Sequence, residues 1–192
     1  HINNLNIIMK INKFIPILLI LLISVTSCSK DDDNVVIEAV NEEEVITTME
    51  VTLTYGTSVI TLKTQDLDGD GPNTPVVTVS GNLAAGTTYS GAIKVLNELE
   101  SPAEDITEEV EEEDLDHQFF FTAASGLDVT TEYSNLDSAG NNLGTQFTLT
   151  TGLASSGDLT FTLRHEPTKP NTGLASAGGE TDIEATFNIT IE

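Results

Sequence analysis

The chain contains no tryptophan, one cysteine, and seven Lys and Arg residues against 31 Asp and Glu. Each shortage excludes something. A lone cysteine cannot form a disulfide within the chain, so stability has to come from apolar burial and backbone pairing. With so few basic residues there is no patch to meet a phosphate backbone, which excludes nucleic acid as a partner. With no tryptophan and only three tyrosines, the chain is poorly equipped to stack sugars. The longest apolar run covers residues 14–25, too short for the roughly 20 residues of a membrane-spanning helix. Catalytic signatures are also missing: there is no Gly-x-Ser-x-Gly elbow, phosphate loop, dinucleotide fingerprint or His-Glu-x-x-His. Carboxylates are too abundant for any one pair to suggest glycosidase chemistry. Binding is therefore expected rather than turnover.

The apolar run is informative in its context. If translation starts at Met9, Lys10 and Lys13 supply a positive start, residues 14–25 an apolar core, and Thr26 and Ser27 small residues before Cys28. This is the layout of an export signal. Ser24-Val25-Thr26-Ser27-Cys28 resembles the lipobox of bacterial lipoproteins, with Val25 where leucine is usual. The resemblance implies cleavage before Cys28, acylation of its thiol (palmitate among the chains) and a membrane anchor. Each buried methylene contributes about 0.8 kcal/mol, so two or three chains would hold firmly where one would not. The alternative is an ordinary exported protein with a leftover thiol. Ser29-Lys30-Asp31-Asp32-Asp33 resembles the Lys-plus-acidic signal that places Bacteroidota-type lipoproteins on the outer face of the outer membrane. Retention on the periplasmic face, with this stretch as a plain solvated tether, is the alternative.

The expected division is a signal peptide over 1–27, an acylated cysteine and tether over 28–44, and a single domain over 45–192. All 31 acidic residues but only five basic ones lie after residue 27, a formal charge of −26. Such a body repels anionic membrane surfaces and favours divalent cations.

From Val45 onward the period is two. Val45, Thr47, Met49, Val51, Leu53 and Tyr55 share one face and Ile46, Thr48, Glu50, Thr52 and Thr54 the other, the mark of a strand with one buried side. Further strands are expected at 59–63, 76–80, 88–97, 118–123, 128–134, 145–151, 158–165 and 182–191, with one more near 35–40. Gly-, Asn- and Asp-rich turns separate them. The expected fold is all-β, a two-sheet sandwich of immunoglobulin-like or Greek-key type. One segment departs from this pattern. Residues 98–116 hold eleven acidic side chains, and Ser101-Pro102-Ala103-Glu104 reads as a capping box, predicting a short helix over 102–114 with Ile106 and Val110 on its inner face. Glu111 to Asp114 oppose the helix dipole, so that end should fray or attract a cation. The whole run reads either as a solvated face or as a weak cation buffer.

Two groups are candidate metal ligands. Asp66, Asp68 and Asp70 in "DLDGDG" could wrap calcium with oxygen, although Val77 stands where an EF-hand loop needs a glutamate. The other reading is an acidic hairpin turn. His117 is in phase with Phe119 and Phe121, and His165 with Leu159, Phe161 and Leu163. Each imidazole is thus expected at a strand end on the core side. With Glu166, Asp114 or Asp116 nearby they could bind zinc or copper. Alternatively, each histidine caps its own strand separately.

From Thr61 onward the chain resembles a group of small flavobacterial lipoproteins through "QDLDGDGPNTP", "ESPAEDITEEVEEED", "HQFFF", "LRHEPTKPN" and "AGGETDIEATFNI". Many of these carry the label "type 1 periplasmic binding fold superfamily". That label implies alternating strands and helices, whereas the two-residue period implies a sandwich. The resemblance also implies company with a TonB-dependent outer-membrane receptor, in nutrient or metal capture. A structural or adhesion module without a small-molecule ligand is the alternative.

Overall fold

The computed structural model describes residues 44–192 apart from Asp70. The signal, Cys28, the strand expected near 35–40 and the expected tether up to residue 43 lie outside these residues, whereas Glu44, its last residue, is described and belongs to the folded body. Among the described residues, no helix is long and apolar enough to cross a membrane.

The two-residue period produces two antiparallel sheets. The larger contains β1 (Thr48–Tyr55), β2 (Ser58–Gln65), β3 (Val76–Val79), β4 (Thr88–Asn97), β7 (Val129–Tyr133) and β8 (Gln146–Thr151), in the order β3-β2-β1-β4-β8-β7. A two-residue strand, β5 (Glu104–Asp105), pairs with the end of β4. The smaller sheet is β10 (Glu180–Ile191), β9 (Ser155–His165) and β6 (His117–Ala123). The chain changes sheet between β4 and β6, between β6 and β7, and between β8 and β9, as a two-sheet sandwich requires.

The core forms where the alternating faces meet. Met49, Val51 and Leu53 of β1, Ile93 and Val95 of β4, and Phe147 and Leu149 of β8 are buried from the larger sheet. Phe119, Phe161, Leu163, Phe187 and Ile189 are buried from the smaller. Phe121 lies 4.7 Å from Phe147 and 5.8 Å from Phe161, centroid to centroid, and Phe161 lies 5.9 Å from Phe187. This aromatic chain fills the middle of the core without a tryptophan or a disulfide. Gly91 on β4 makes room for it, because a Cβ there would stand 2.4 Å from the Phe147 ring.

Helix α1 (Ile106–Glu112) is shorter than the sequence predicts, and its cap differs. Asp105 is the N-cap, its side chain accepting from the Thr107 amide at 3.2 Å, while Glu104 is drawn into β5. The Ser101–Glu104 capping box does not form because pairing of Glu104 and Asp105 with β4 holds those residues extended. Ile106 and Val110 are buried as expected. The Thr107 hydroxyl accepts from the Val95 amide at 2.9 Å and fastens the helix to β4. A single-turn helix, α2 (Leu174–Ala177), precedes β10.

Candidate metal centre

At one end of the smaller sheet β6 begins, β9 ends and β10 begins. His117 and His165 are directly opposed in the β6–β9 register. Opposed residues of an antiparallel pair share a face with Cβ atoms about 5 Å apart, so the two rings are forced together. Their centroids are 4.8 Å apart. Both are buried, and both point to the core side that their phase along the strands predicts.

Two carboxylates complete the group, and neither is one the sequence suggested. Glu44 precedes β1, and Asp182 lies in β10. Glu44 Oε1 is 3.1 Å from His117 Nε2, and Glu44 Oε2 is 3.6 Å from His165 Nδ1. Asp182 Oδ1 is 3.7 Å from His165 Nδ1, and its Oδ2 is 4.0 Å from His117 Nε2. The side chains are 0% exposed at His117, 9% at His165 and 4% at both Glu44 and Asp182. One ligand atom from each residue lies within 4.8 Å of all the others. For metal–ligand bonds of about 2.0–2.1 Å, the edge of a tetrahedron is roughly 3.3 Å. The observed separations bracket that value.

The tautomer of His117 follows from its partner. Its Nδ1 is 3.1 Å from the Glu113 carbonyl, which can only accept, so Nδ1–H donates. That leaves Nε2 as the ring atom facing Glu44. The 3.1 Å approach is not a hydrogen bond, and neither His117 Nε2 nor Glu44 Oε2 has a hydrogen-bond partner. Leaving such buried polar groups unsatisfied costs about 1–3 kcal/mol each, more when charged. A cation between them removes that cost. An imidazole whose other nitrogen donates to a carbonyl is also the usual outer-shell arrangement of a metal-bound histidine.

The surrounding elements hold His117 in place. Glu113 is the C-cap of α1, so the negative end of that helix faces the ring. Lys169, nearly buried, donates through Nζ to the Asp114 carbonyl at 2.6 Å and to the His117 carbonyl, and pairs with buried Asp137 at 3.1 Å. Glu109, one turn back, has its carboxyl pushed above the usual range, first by burial and then by the charge of Glu44.

Asp182 owes its position to an irregularity. The β10–β9 register shifts between Thr181 and Ile183, leaving Asp182 as the extra residue of a bulge. On a regular strand it would share the outward face of Glu184. The bulge turns it inward instead, a common use of bulges beside functional sites. Just upstream, Gly179 has φ 70°, and a Cβ there would stand 2.1 Å from the His165 carbonyl. This glycine lets β10 approach the end of β9.

The other predicted ligands are elsewhere. Glu166 is exposed, at φ 48° in the turn after β9, and is not part of the cluster. The Asp114 carboxylate is engaged by the Ser138 amide and hydroxyl at 2.7 and 2.9 Å. Asp116 is exposed and takes part through its backbone, its amide donating to the Glu113 carbonyl and its carbonyl accepting from the Glu166 amide. Asp66 and Asp68 lie in an exposed loop that closes on itself. The Asp66 side chain accepts from the Asp68 amide at 3.2 Å, and Asp68 accepts from the Asn73 side chain at 2.5 Å. That bond is the chief reason the Asp68 carboxyl lies below the usual range. Among the described residues the four-residue cluster does not include this loop. Asp70 lies outside the described residues.

No family model, curated protein or solved structure matches the chain.

Proposed function

We propose that the protein is a lipid-anchored β-sandwich that captures a divalent transition metal through Glu44, His117, His165 and Asp182. The reading is carried by His117 Nε2, which is buried, has no hydrogen-bond partner and faces a buried carboxylate, while Nδ1 is engaged by the Glu113 carbonyl. Two imidazoles favour zinc or copper over calcium, which prefers a shell of oxygens. Two carboxylates and two neutral imidazoles carry a formal charge of −2, which one dication balances. All four first-sphere positions come from protein side chains. A closed site of that kind retains its ion, whereas a catalytic site leaves a position open for substrate.

The setting of this activity rests on the N-terminal motif. Acylation of Cys28 would hold the acidic body at the outer membrane, facing the cell surface, where it could collect metal beside a TonB-dependent receptor. Mass spectrometry of the native protein should find a lipidated amino-terminal Cys28. Calorimetric titration of the full chain should show one equivalent of zinc or copper bound, no heat with calcium at the same concentration, and loss of the site in His117→Ala and His165→Ala. If heats are flat for all three metals, the site is a buried polar cluster only, and the structural or adhesion module becomes the better reading.

A further inference from the structure

The four ligands are not held equally. His117, His165 and Asp182 belong to adjacent strands of one sheet, and the β6–β9 and β9–β10 ladders position them before any ion arrives. Glu44 approaches from the other sheet, four residues ahead of β1. Backbone pairing on that side is first seen at Thr47, whose amide donates to the Leu96 carbonyl at 2.9 Å. Between Glu44 and Thr47, Val45 is 54% exposed and Ile46 only partly packed on the core. Little apolar burial therefore explains why the Glu44 carboxylate is almost fully enclosed. That carboxylate bridges both histidines, at 3.1 and 3.6 Å, with Oε2 lacking a hydrogen-bond donor. A carboxylate enclosed on a segment with few other ties among the described residues stays only if something cationic holds it.

We infer that Glu44 is the closing ligand of the site. The ion first meets the preformed His117–His165–Asp182 face, and Glu44 then docks over it, so that the bound metal clips the chain ahead of β1 onto the smaller sheet. This rests on the metal reading above and adds an order of assembly to it. The consequence is that metal loading orders the segment through which the sandwich connects to whatever precedes it.

Hydrogen exchange and cobalt spectroscopy on the full chain test this, with zinc and cobalt(II) as probes. In the wild type, zinc should slow exchange of the 44–47 amides, and cobalt should give the intense visible bands of four-coordination. Glu44→Gln should still bind zinc, but more than about tenfold more weakly and with faster release. Its cobalt spectrum should weaken towards a higher, water-containing coordination number. If Glu44→Gln matches the wild type in affinity and spectrum, and zinc leaves the 44–47 amides unprotected, Glu44 is not a closing ligand although the three-ligand site survives. If the wild type itself binds neither ion, both this inference and the metal reading fall. Glu44 lies outside every strand, so the variant is expected to fold; the exchange measurement on wild-type protein decides the point even if it does not.

Discussion

Lys169 and Asp137 show how one buried pair supports a site it does not touch with its charges. Lys169 donates to the carbonyls of Asp114 and His117, which fixes the start of β6, and Asp137 neutralises it. Burial alone would raise the Asp137 carboxyl, but the Asn141 amide, Lys169 and the Asn141 side chain outweigh burial and hold it below the usual range. A carboxyl depressed in the folded state contributes stability above its unfolded value near 3.8. That stability is lost as pH falls from there through the lower folded value. Asp137→Asn should therefore be less stable than the wild type at pH 6, by up to about 3 kcal/mol. The gap should close as the pH falls below about 4. Urea midpoints measured at intervals from pH 6 to 3 would show the convergence; parallel curves would mean that Asp137 is not ionised against Lys169. The imidazole of His117 was legible as an inward-facing residue because its phase with Phe119 and Phe121 is a local property. Its Nδ1 partner, the Glu113 carbonyl, was not, because the helix end had first to be placed by Thr107 and β4.

At the scale of elements, strands were the most readable feature. β4 and the last half of β10 alternate wet and dry nearly residue by residue. Helix α1 was readable in its Ile106–Val110 spacing but not in its start, since pairing with β4 competed with the local cap and prevailed. The two carboxylates of the centre were hidden for different reasons. Asp182 is inward only because of a bulge, and a bulge breaks the alternation on which the reading depends. Glu44 sits in an acidic stretch where nothing distinguishes it from its neighbours until β1 brings it to the other sheet's edge. The bulge in turn leans on Gly179. Gly179→Ala adds a Cβ at a positive φ and against the His165 carbonyl, a backbone atom that cannot rotate away. The cost should be at least about 2 kcal/mol. That corresponds to a fall in melting temperature of roughly 5 °C or more for a domain of this size. Because the displaced group is His165 itself, zinc affinity should fall with stability. A melting temperature within about 1 °C of the wild type would show that β10 does not depend on this close approach.

For the molecule as a whole, charge sets two separate responses to cations. The chain from Cys28 onward carries five basic and 31 acidic side chains, so the folded body repels itself, and any salt should relieve that repulsion. A specific ion does something different, because it binds the folded state at one place and shifts the unfolding equilibrium by mass action. At a free concentration of 100 times Kd the added stability is about 2.7 kcal/mol. For a domain of this length that is roughly 5–10 °C in melting temperature. The two responses separate in a pair of melting series. Raising sodium chloride from about 0.02 to 0.5 M should stabilise the wild type and a His117→Ala/His165→Ala double variant alike, since Debye screening is indifferent to which residues carry the charge. Micromolar zinc at fixed salt should raise the melting temperature of the wild type and leave the double variant unchanged. If zinc lifts both proteins equally, the dication is acting on the acidic surface as a whole. The histidines would then be core residues that happen to meet across a ladder.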